Sequence, residues 1–299
     1  MEQEHKQIVM NKKGQILSLI GGNYYTKVAD KVLKCRARGL FRHQDIKPVV
    51  GDYVMVDVLE HGEGYLLEVL ERKNHLIRPA IANIDQALII TSYQEPEYSF
   101  NLINKFLAII EFYQIKPVIV VTKADLANSI EEITEAFADY HNYDLVITSV
   151  ISKQGLSELK NLLKDKVSVL VGQSGAGKSS VLNMLDQSLE IETNAISKAL
   201  NRGKHTTRHV EIYETAYGMI ADSPGFSSLS LEMLGVEDLA ISYHDFKEAA
   251  PYCKFANCLH QQEPGCHVKE LVVANEIPKS RYDDYLLFLE EIKQRKVRY

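Results

Sequence analysis

The segment from residue 172 to residue 179, GQSGAGKS, constrains the fold of this chain more than any other. It matches the phosphate-loop pattern G-x-x-x-x-G-K-[ST] at every fixed position. The apolar residues 167–171 predict a buried strand before it, and residues 180–189 predict a helix after it. Glycines let backbone N–H groups surround phosphate oxygens, and the N-terminal end of the helix dipole favours the same anion. The segment therefore predicts that the chain binds a phosphate-bearing nucleotide between a strand and a helix.

Two side chains of this segment have specific predicted roles. Lys178 is expected to bridge the outer phosphates and to neutralise charge during phosphoryl transfer. Ser179 is placed to offer its hydroxyl to Mg²⁺. The predicted nucleotide-binding residues of the segment are Gly172, Gln173, Ser174, Gly175, Ala176, Gly177, Lys178, Ser179 and Ser180.

Length and composition bound the class of protein. The chain has 299 residues, 45% hydrophobic and 25% charged, which is ordinary for a soluble protein of two or three domains. No apolar run approaches the ~18–20 residues of a membrane span, and the polar N-terminus has no apolar signal core. We therefore expect a cytoplasmic protein without a membrane partner. A monomer is also expected.

The N-terminal quarter predicts a small β-barrel. Five short alternating segments between turn residues suit a five-stranded OB-type barrel: GQILSLIGG, YYTKVAD, KVLKCRARGLF, GDYVMVDVLE and GYLLEVLERK. The net charge of −6 argues against a generally basic nucleic-acid binder, but residues 27–47 hold seven Lys or Arg against two Asp. The side chains that could stack on RNA or contact its phosphates there are Tyr24, Tyr25, Phe41 and Arg42. The alternative is that the tyrosines close the barrel core and the charges form a solvated face.

From residue 87 onward, apolar strands alternate with amphipathic helices. The strands ALIITS, PVIVV, DLVITS and VSVLV are separated by helices expected near residues 100–113, 130–141 and 156–164. This alternation predicts a parallel sheet covered by helices on both faces. Because ligands of such sheets bind at the carboxyl ends of strands, the motifs at those ends are the candidate site.

One such motif is Thr122-Lys123-Ala124-Asp125, which directly follows the strand PVIVV. In P-loop GTPases an [NT]-K-x-D motif at this place reads guanine, because the carboxylate accepts from the ring N1–H and the exocyclic amine. Adenine lacks that donor pair, and an unpaired carboxylate disfavours it. Ser149 and Val150 end the next strand and resemble the second base-binding loop, which approaches the guanine carbonyl.

Two further motifs predict contacts with Mg²⁺ and the terminal phosphate. In the segment RGKHTTR, residues 202–208, Thr207 is the expected Mg²⁺ ligand from a mobile loop, with Thr206 as the alternative. Asp222-Ser-Pro-Gly225 is a D-x-x-G motif at the end of the strand YGMIA. Asp222 is expected to hold Mg²⁺ through water, and the Gly225 N–H to sense the terminal phosphate.

The order of these motifs predicts a circular permutation. An ordinary GTPase runs from the phosphate loop to the D-x-x-G motif and then to the base-reading loops, whereas here the base-reading motifs come first. We expect a permuted GTPase domain over residues 76–230, between a barrel at 1–75 and a C-terminal domain at 231–299. The D-x-x-G motif then leads directly into that C-terminal domain.

The C-terminal domain contains the pattern Cys253-x₄-Cys258-x-His260-x₅-Cys266. Three thiolates and one imidazole match a closed tetrahedral Zn²⁺ site in ligand type and number. Four protein ligands leave no open position, so a structural ion is expected. His267 is an alternative nitrogen ligand.

With these motifs in this order, nearly the whole chain resembles the RsgA family of small-ribosomal-subunit-dependent GTPases, which are circularly permuted. The barrel with PVVGD at residues 48–52, TKAD, GQSGAGKSS, GKHTT, DSPGF and the Cys₃His pattern carry the resemblance. It implies GTP hydrolysis stimulated by the small ribosomal subunit late in its maturation, with the barrel and the zinc domain touching its rRNA. Thr122 stands where many GTPases have Asn. This difference predicts a weaker loop-bridging hydrogen bond, while the base-reading Asp125 is kept.

The hydrolytic residue is less defined than the binding residues. Many GTPases place Gln directly after D-x-x-G to orient water, but Phe226 stands there. We therefore expect slow intrinsic hydrolysis, completed by the ribosome or by another polar residue, with His205 as the candidate. A loop histidine facing solvent or RNA is the alternative for His205. Two other functions remain open: an RNA-binding scaffold that uses GTP as a structural or switch ligand, and a P-loop ATPase or kinase.

Overall fold

The computed structural model describes residues 11–38, 41, 46–185, 210–222 and 230–295, without the side chains of Glu60 and Asp222. A β-barrel, an α/β domain and a mainly helical region follow one another along the chain. This arrangement confirms the predicted fold class.

The barrel consists of five strands, β1 (Asn11–Ile20), β2 (Asn23–Val28), β3 (Lys31–Ala37), β4 (Tyr53–Val58) and β5 (Glu63–Val69). The strand order is β1-β2-β3-β5-β4, and β4 pairs back with β1, which closes the barrel. All neighbours are antiparallel except β3 and β5. Closure removes exposed strand edges, so the small barrel needs no covering helix.

Side-chain alternation in β3 separates a core face from a basic face. Leu33 and Cys35 are buried in the barrel, whereas Lys34 and Arg36 are exposed. Phe41, considered above for stacking on RNA, is only 5% exposed and packs in the core, so that expectation is wrong for this ring. Tyr24 also packs against the core, and burial raises its pKa. Arg42 lies outside the described residues.

The PVVGD motif forms the joint between the barrel and the following hairpin. Asp52 has no solvent exposure and binds the Arg72 guanidinium through both carboxylate oxygens, at 2.7 and 2.9 Å. Gly51 has φ +87°, and a Cβ there would lie 2.0 Å from the Ala82 carbonyl oxygen. Only glycine can occupy this position without moving the backbone. The hairpin strands are β6 (His75–Leu76) and β7 (Ile81–Ala82).

The α/β sheet carries the candidate site. Its strands are β8 (Gln86–Ser92), β9 (Lys116–Thr122), β10 (Asp144–Ile147), β11 (Val167–Val171), β12 (Glu211–Glu214) and β13 (Met219–Asp222). The order is β10-β9-β8-β11-β13-β12, parallel except for β12. Strands β8 and β11 are buried at every position, as expected for a sheet covered on both faces. β12 also pairs with barrel strand β1, at Ser18 and Glu211.

Among the residues that the structure describes, four helices accompany this sheet: α1 (Phe100–Phe112), α2 (Ile130–Ala136), α3 (Leu156–Leu163) and α4 (Lys178–Leu185). The helix predicted over residues 130–141 is shorter than expected. It ends at Ala136 and is followed by a 3₁₀ turn, Ala138–Tyr140. The rings of Phe137 and Tyr140 are both buried beside this turn. The predicted end of the α4 helix, residues 186–189, lies outside the described residues.

The C-terminal region contains α5 (Val236–Ala240), α6 (His244–Ala249), α7 (His267–Val273) and α8 (Lys279–Arg295). It packs on α1 around the fully buried Asn104. The Asn104 amide donates to Asp284 at 2.7 Å, and the Tyr243 hydroxyl donates to the Asn104 carbonyl at 3.0 Å. A satisfied buried polar group of this kind fixes one relative orientation of the elements it joins. Within the described parts of the chain, no helix is both long and apolar enough to cross a membrane.

Candidate functional site

The phosphate loop lies at the carboxyl end of β11, where the chain turns into α4. Gly172 has φ +144°, and a Cβ there would lie 2.1 Å from the Ile90 carbonyl oxygen of the adjacent strand. The Lys178 ammonium is buried and donates to the carbonyl oxygens of Gly172 and Gln173, both at 2.7 Å. The loop thus holds its lysine inside the turn in which phosphate oxygens are expected.

The TKAD motif lies beside this loop at the end of β9. The Thr122 hydroxyl donates to the Ala176 carbonyl at 2.7 Å, so the bond that the sequence predicts to be weak is present. Gly177 permits this approach, because a Cβ there would be 3.1 Å from the Thr122 hydroxyl. The two motifs, 54 residues apart in sequence, therefore form one continuous site.

Asp125 is exposed at the mouth of the site and is oriented by the next loop. Ser149, itself 1% exposed, donates its hydroxyl to the Asp125 carboxylate at 2.6 Å. The Ala124 N–H donates to the Thr148 carbonyl at 3.1 Å, which ties the backbones of the two loops together. Val150 is 44% exposed beside them. The structure thus brings together the residues predicted to read the base.

The remaining predicted nucleotide contacts are only partly described. Asp222 ends β13, the strand next to β11, but its side chain is not described. Thr207, its alternative Thr206, the candidate hydrolytic residue His205, Gly225 and Phe226 all lie outside the described residues. Their roles stay predictions.

Sequence reasoning missed the segment between β8 and α1 that contacts both loops. The Lys123 ammonium donates to the Glu95 carbonyl, and the Gln173 amide donates to the Glu97 carbonyl at 3.3 Å. The acceptors are main-chain carbonyls, which every residue type has. The identities of residues 95 and 97 therefore give no motif in the sequence. A left-handed residue such as Glu95, with φ +55°, is visible only in the structure.

The Cys₃His pattern forms a compact cluster. The ligand atoms of Cys253, Cys258, His260 and Cys266 all lie within 4.8 Å of one another. His267 is not in this cluster, and its Nδ1 instead pairs with Glu270 at 3.0 Å. Three sulfurs and one imidazole nitrogen at this spacing suit one tetrahedral ion.

The hydrogen bonding of His260 also fits metal ligation. Its ring is fully buried, and Nε2 lies 3.1 Å from the Ala240 carbonyl oxygen. A carbonyl only accepts, so Nε2 carries the proton and the lone pair on Nδ1 faces the cysteines. Nδ1 is 3.4 Å from Cys266 Sγ and 3.7 Å from Cys253 Sγ.

The pKa values of the cluster residues are also compatible with metal ligation. Burial raises the pKa of Cys266 to about 12, and it also raises the pKa of Cys258. Burial lowers the pKa of His260, so its imidazole stays neutral near pH 7. Buried thiols with a neutral imidazole become thiolate ligands when a divalent cation neutralises them. The donor set therefore fits a metal ion.

The comparisons with known proteins agree with this geometry. The RsgA GTPase family model matches residues 69–232, and the RsgA N-terminal domain model matches residues 13–66. The small ribosomal subunit biogenesis GTPase RsgA of Geobacillus sp. strain WCH70 is 45% identical over 291 residues, covering 96% of this chain and 99% of the relative.

Two solved structures are similar over nearly all of the chain. The circularly permuted GTPase YloQ has a TM-score of 0.80 and 39% identity, with 100% of each chain covered. YjeQ from Thermotoga maritima has a TM-score of 0.83 and 32% identity, covering 95% of this chain and 99% of that one. Fold and site together define a circularly permuted P-loop GTPase. The chain belongs to the RsgA GTPase family, whose members hydrolyse GTP.

Proposed function

We propose that this chain hydrolyses GTP in the biogenesis of the small ribosomal subunit, late in maturation, and that the subunit stimulates hydrolysis. The hydrogen bond between Thr122 and Ala176 carries the nucleotide part of this proposal, because it joins a guanine-type motif to a phosphate loop. The ribosomal part is supported by relatives that are named small ribosomal subunit biogenesis GTPases.

The base is read at the mouth of the site. Asp125, oriented by Ser149, accepts from the N1–H and the exocyclic amine of guanine. The aliphatic stem of Lys123 lies along the base, and the backbone around Ala124, Ser149 and Val150 lines the rest. Because an adenine would leave the carboxylate unpaired, GTP and GDP are selected over ATP and ADP.

The phosphates occupy the loop formed by residues 172–180. Lys178 exchanges its two loop carbonyls for phosphate oxygens and neutralises charge in the transition state. Ser179, Thr207 and Asp222 are the residues that would hold Mg²⁺, and Gly225 reports on the terminal phosphate. When bound, Mg²⁺ supplies charge neutralisation at the phosphates.

Hydrolysis is slow in the free protein because Phe226 can neither donate to nor accept from water. His205, or a group of the ribosome, orients the attacking water in the complex. Hydrolysis in the isolated protein therefore stays low although the nucleotide is held firmly.

Partner contacts use both flanking regions. The barrel at 1–75 presents an outward basic face on β3 that suits the phosphates of rRNA, with Lys31, Lys34 and Arg36 exposed. The C-terminal domain, 231–299, is organised by one structural Zn²⁺ on Cys253, Cys258, His260 and Cys266 and forms a second contact. The chain acts as a cytoplasmic monomer around a GTPase domain at 76–230.

The test is GTP hydrolysis by the full chain alone, with large subunits and with small subunits, at one salt concentration. The proposal expects slow turnover alone, no stimulation by large subunits and an increase of at least tenfold with small subunits. Equal turnover in all three conditions would contradict it and would favour an RNA-binding scaffold in which GTP is a structural or switch ligand.

A further inference from the structure

The segment from Ser92 to Tyr98, here called the strap, begins with the last residue of β8, leads towards α1 and belongs to none of the motifs above. We propose that the strap is a third element of the nucleotide site, which positions Lys123 against the base and holds the TKAD motif and the phosphate loop at their binding separation. This inference rests on the proposed function, since it concerns the same nucleotide.

The first contact of the strap fixes the tip of Lys123. The Lys123 ammonium donates to the main-chain carbonyl of Glu95. A free lysine side chain loses much rotamer entropy when it becomes ordered. Because its tip is already bound, the stem of Lys123 is ordered before the base arrives.

The second contact reaches the phosphate loop. The Gln173 side-chain amide donates to the Glu97 carbonyl at 3.3 Å. Pro96 lies against Gly175, where a Cβ would be 3.3 Å from the proline Cδ. The strap therefore touches the phosphate loop as well as the TKAD motif.

Three hydrogen bonds at its start hold the strap in this place. The Ser92 hydroxyl, fully buried, donates to the Pro96 carbonyl at 2.5 Å. The Tyr93 N–H donates to the Thr122 carbonyl at 3.0 Å. The Tyr93 hydroxyl donates to Glu132 at 2.7 Å. Ser92 ends β8 and Thr122 ends β9, so two of these bonds tie the strap to the sheet, and the third ties it to α2.

Backbone strain supports a functional role. Glu95 has φ +55° and Lys123 has φ +57°, a left-handed conformation that is unfavourable for a non-glycine residue. The two strained residues are bonded to each other. Strain of this kind persists where surrounding contacts over-determine the conformation, and it concentrates at ligand sites.

The test uses two variants that release the strap from opposite ends, Ser92→Ala and Gln173→Met. The matched control is Ser99→Ala, which removes a side-chain hydrogen bond to the Leu102 N–H just beyond the strap. Affinities of the full chain for GDP and for inorganic pyrophosphate are measured by calorimetry, together with the melting temperature.

Loss of one hydrogen bond is expected to raise the Kd for GDP by about three- to tenfold in both variants and to leave it unchanged in Ser99→Ala. In Ser92→Ala the affinity for pyrophosphate should stay within twofold of wild type, because pyrophosphate has no base for Lys123 to contact. If the strap had a purely structural role, Ser92→Ala would lower the melting temperature but leave the ratio of the Kd for GDP to the Kd for pyrophosphate unchanged.

GDP affinity within twofold of wild type in both variants, or an equal loss in Ser99→Ala, overturns the role of the strap. If Ser92→Ala does not fold, Tyr93→Phe, which removes only the hydroxyl bond to Glu132, takes its place with the same expected affinities. Failure of the proposed function is a different outcome, because the wild-type chain itself would then not bind GDP.

Discussion

The hydroxyl of Thr122 donates a 2.7 Å hydrogen bond to the carbonyl oxygen of Ala176 and thereby joins the base-reading motif to the phosphate loop. Thr122 is 2% exposed, so this bond is shielded from water. A short threonine bridges the two loops because Gly177 lets them approach closely. The motif that we propose binds the base and the loop that we propose binds the phosphates are therefore joined by a buried hydrogen bond.

Replacing Thr122 by valine removes this link with little change of shape. The Ala176 carbonyl loses its donor, and we expect the free energy of unfolding to fall by about 1–2 kcal/mol. We also expect the Kd for GDP to rise by about tenfold. Chemical denaturation and calorimetric titration with GDP measure the two effects.

Ser242→Ala is the matched control for this prediction. The Ser242 hydroxyl is equally buried and donates to the Leu239 carbonyl at 2.9 Å, but it lies in the C-terminal region, between α5 and α6. GDP affinity should therefore be unchanged in this variant. A similar loss of GDP affinity in both variants would show that the Thr122 effect is a general consequence of destabilisation.

The metal centre gives a second prediction. Cys258→Ala removes one of four clustered ligands, so bound zinc should fall from one equivalent to well below half. Because metal binding stabilises the folded region, the melting temperature should fall as well. Elemental analysis of the purified, dialysed protein measures the zinc content.

Two control variants test the ligand assignment. Cys35→Ala makes the same change in the barrel core, and His267→Ala removes the nearby histidine that pairs with Glu270. Both should retain one equivalent of zinc. A full equivalent in Cys258→Ala, or loss of zinc in His267→Ala, would show that the ligands are misassigned.

Glu111 lies at the interface between α1 and the C-terminal helices, and its raised pKa predicts that the stability of the fold depends on pH. Burial raises the pKa of Glu111 to about 7, from 4.5, although the His244 N–H and the Arg281 guanidinium oppose the shift. The folded state therefore binds more protons than the unfolded state between pH 4.5 and 7. Stability falls as pH rises through this window and levels off above it.

Glu111→Gln should remove this pH dependence, because glutamine cannot ionise. We expect the variant to be more stable than wild type at pH 8, by at most about 3 kcal/mol, and similar to it near pH 4.5. Denaturation curves at a series of pH values measure the effect. The same change at the exposed Glu158 should leave the slope intact, and an unchanged slope in Glu111→Gln would refute the prediction.

The features that the sequence predicts well are local in the chain. The phosphate loop is predicted from eight consecutive residues because backbone N–H groups bind the phosphate and glycine and lysine positions define the turn. The Cys₃His cluster is likewise confined to fourteen residues. The barrel and sheet strands follow from alternating and continuous apolar patterns, with ends that differ by a few residues.

The features that the sequence does not predict join distant segments or use main-chain atoms. The strap meets Lys123 and Gln173 through the carbonyls of Glu95 and Glu97, which any residue type supplies. In the sequence, the Phe41 ring next to basic residues fits either an RNA-stacking surface or a core, and in the structure it lies in the core. Only the three-dimensional packing distinguishes these cases.

The central claim is that this site selects a guanine nucleotide, and the affinities of the full chain for GDP and ADP test it most directly. The account predicts that GDP binds at least a hundredfold more tightly than ADP, since Asp125 pairs with guanine and is left unpaired by adenine. In Asp125→Ala this preference should fall to within about tenfold. Equal affinity of the wild-type chain for GDP and ADP would contradict the account.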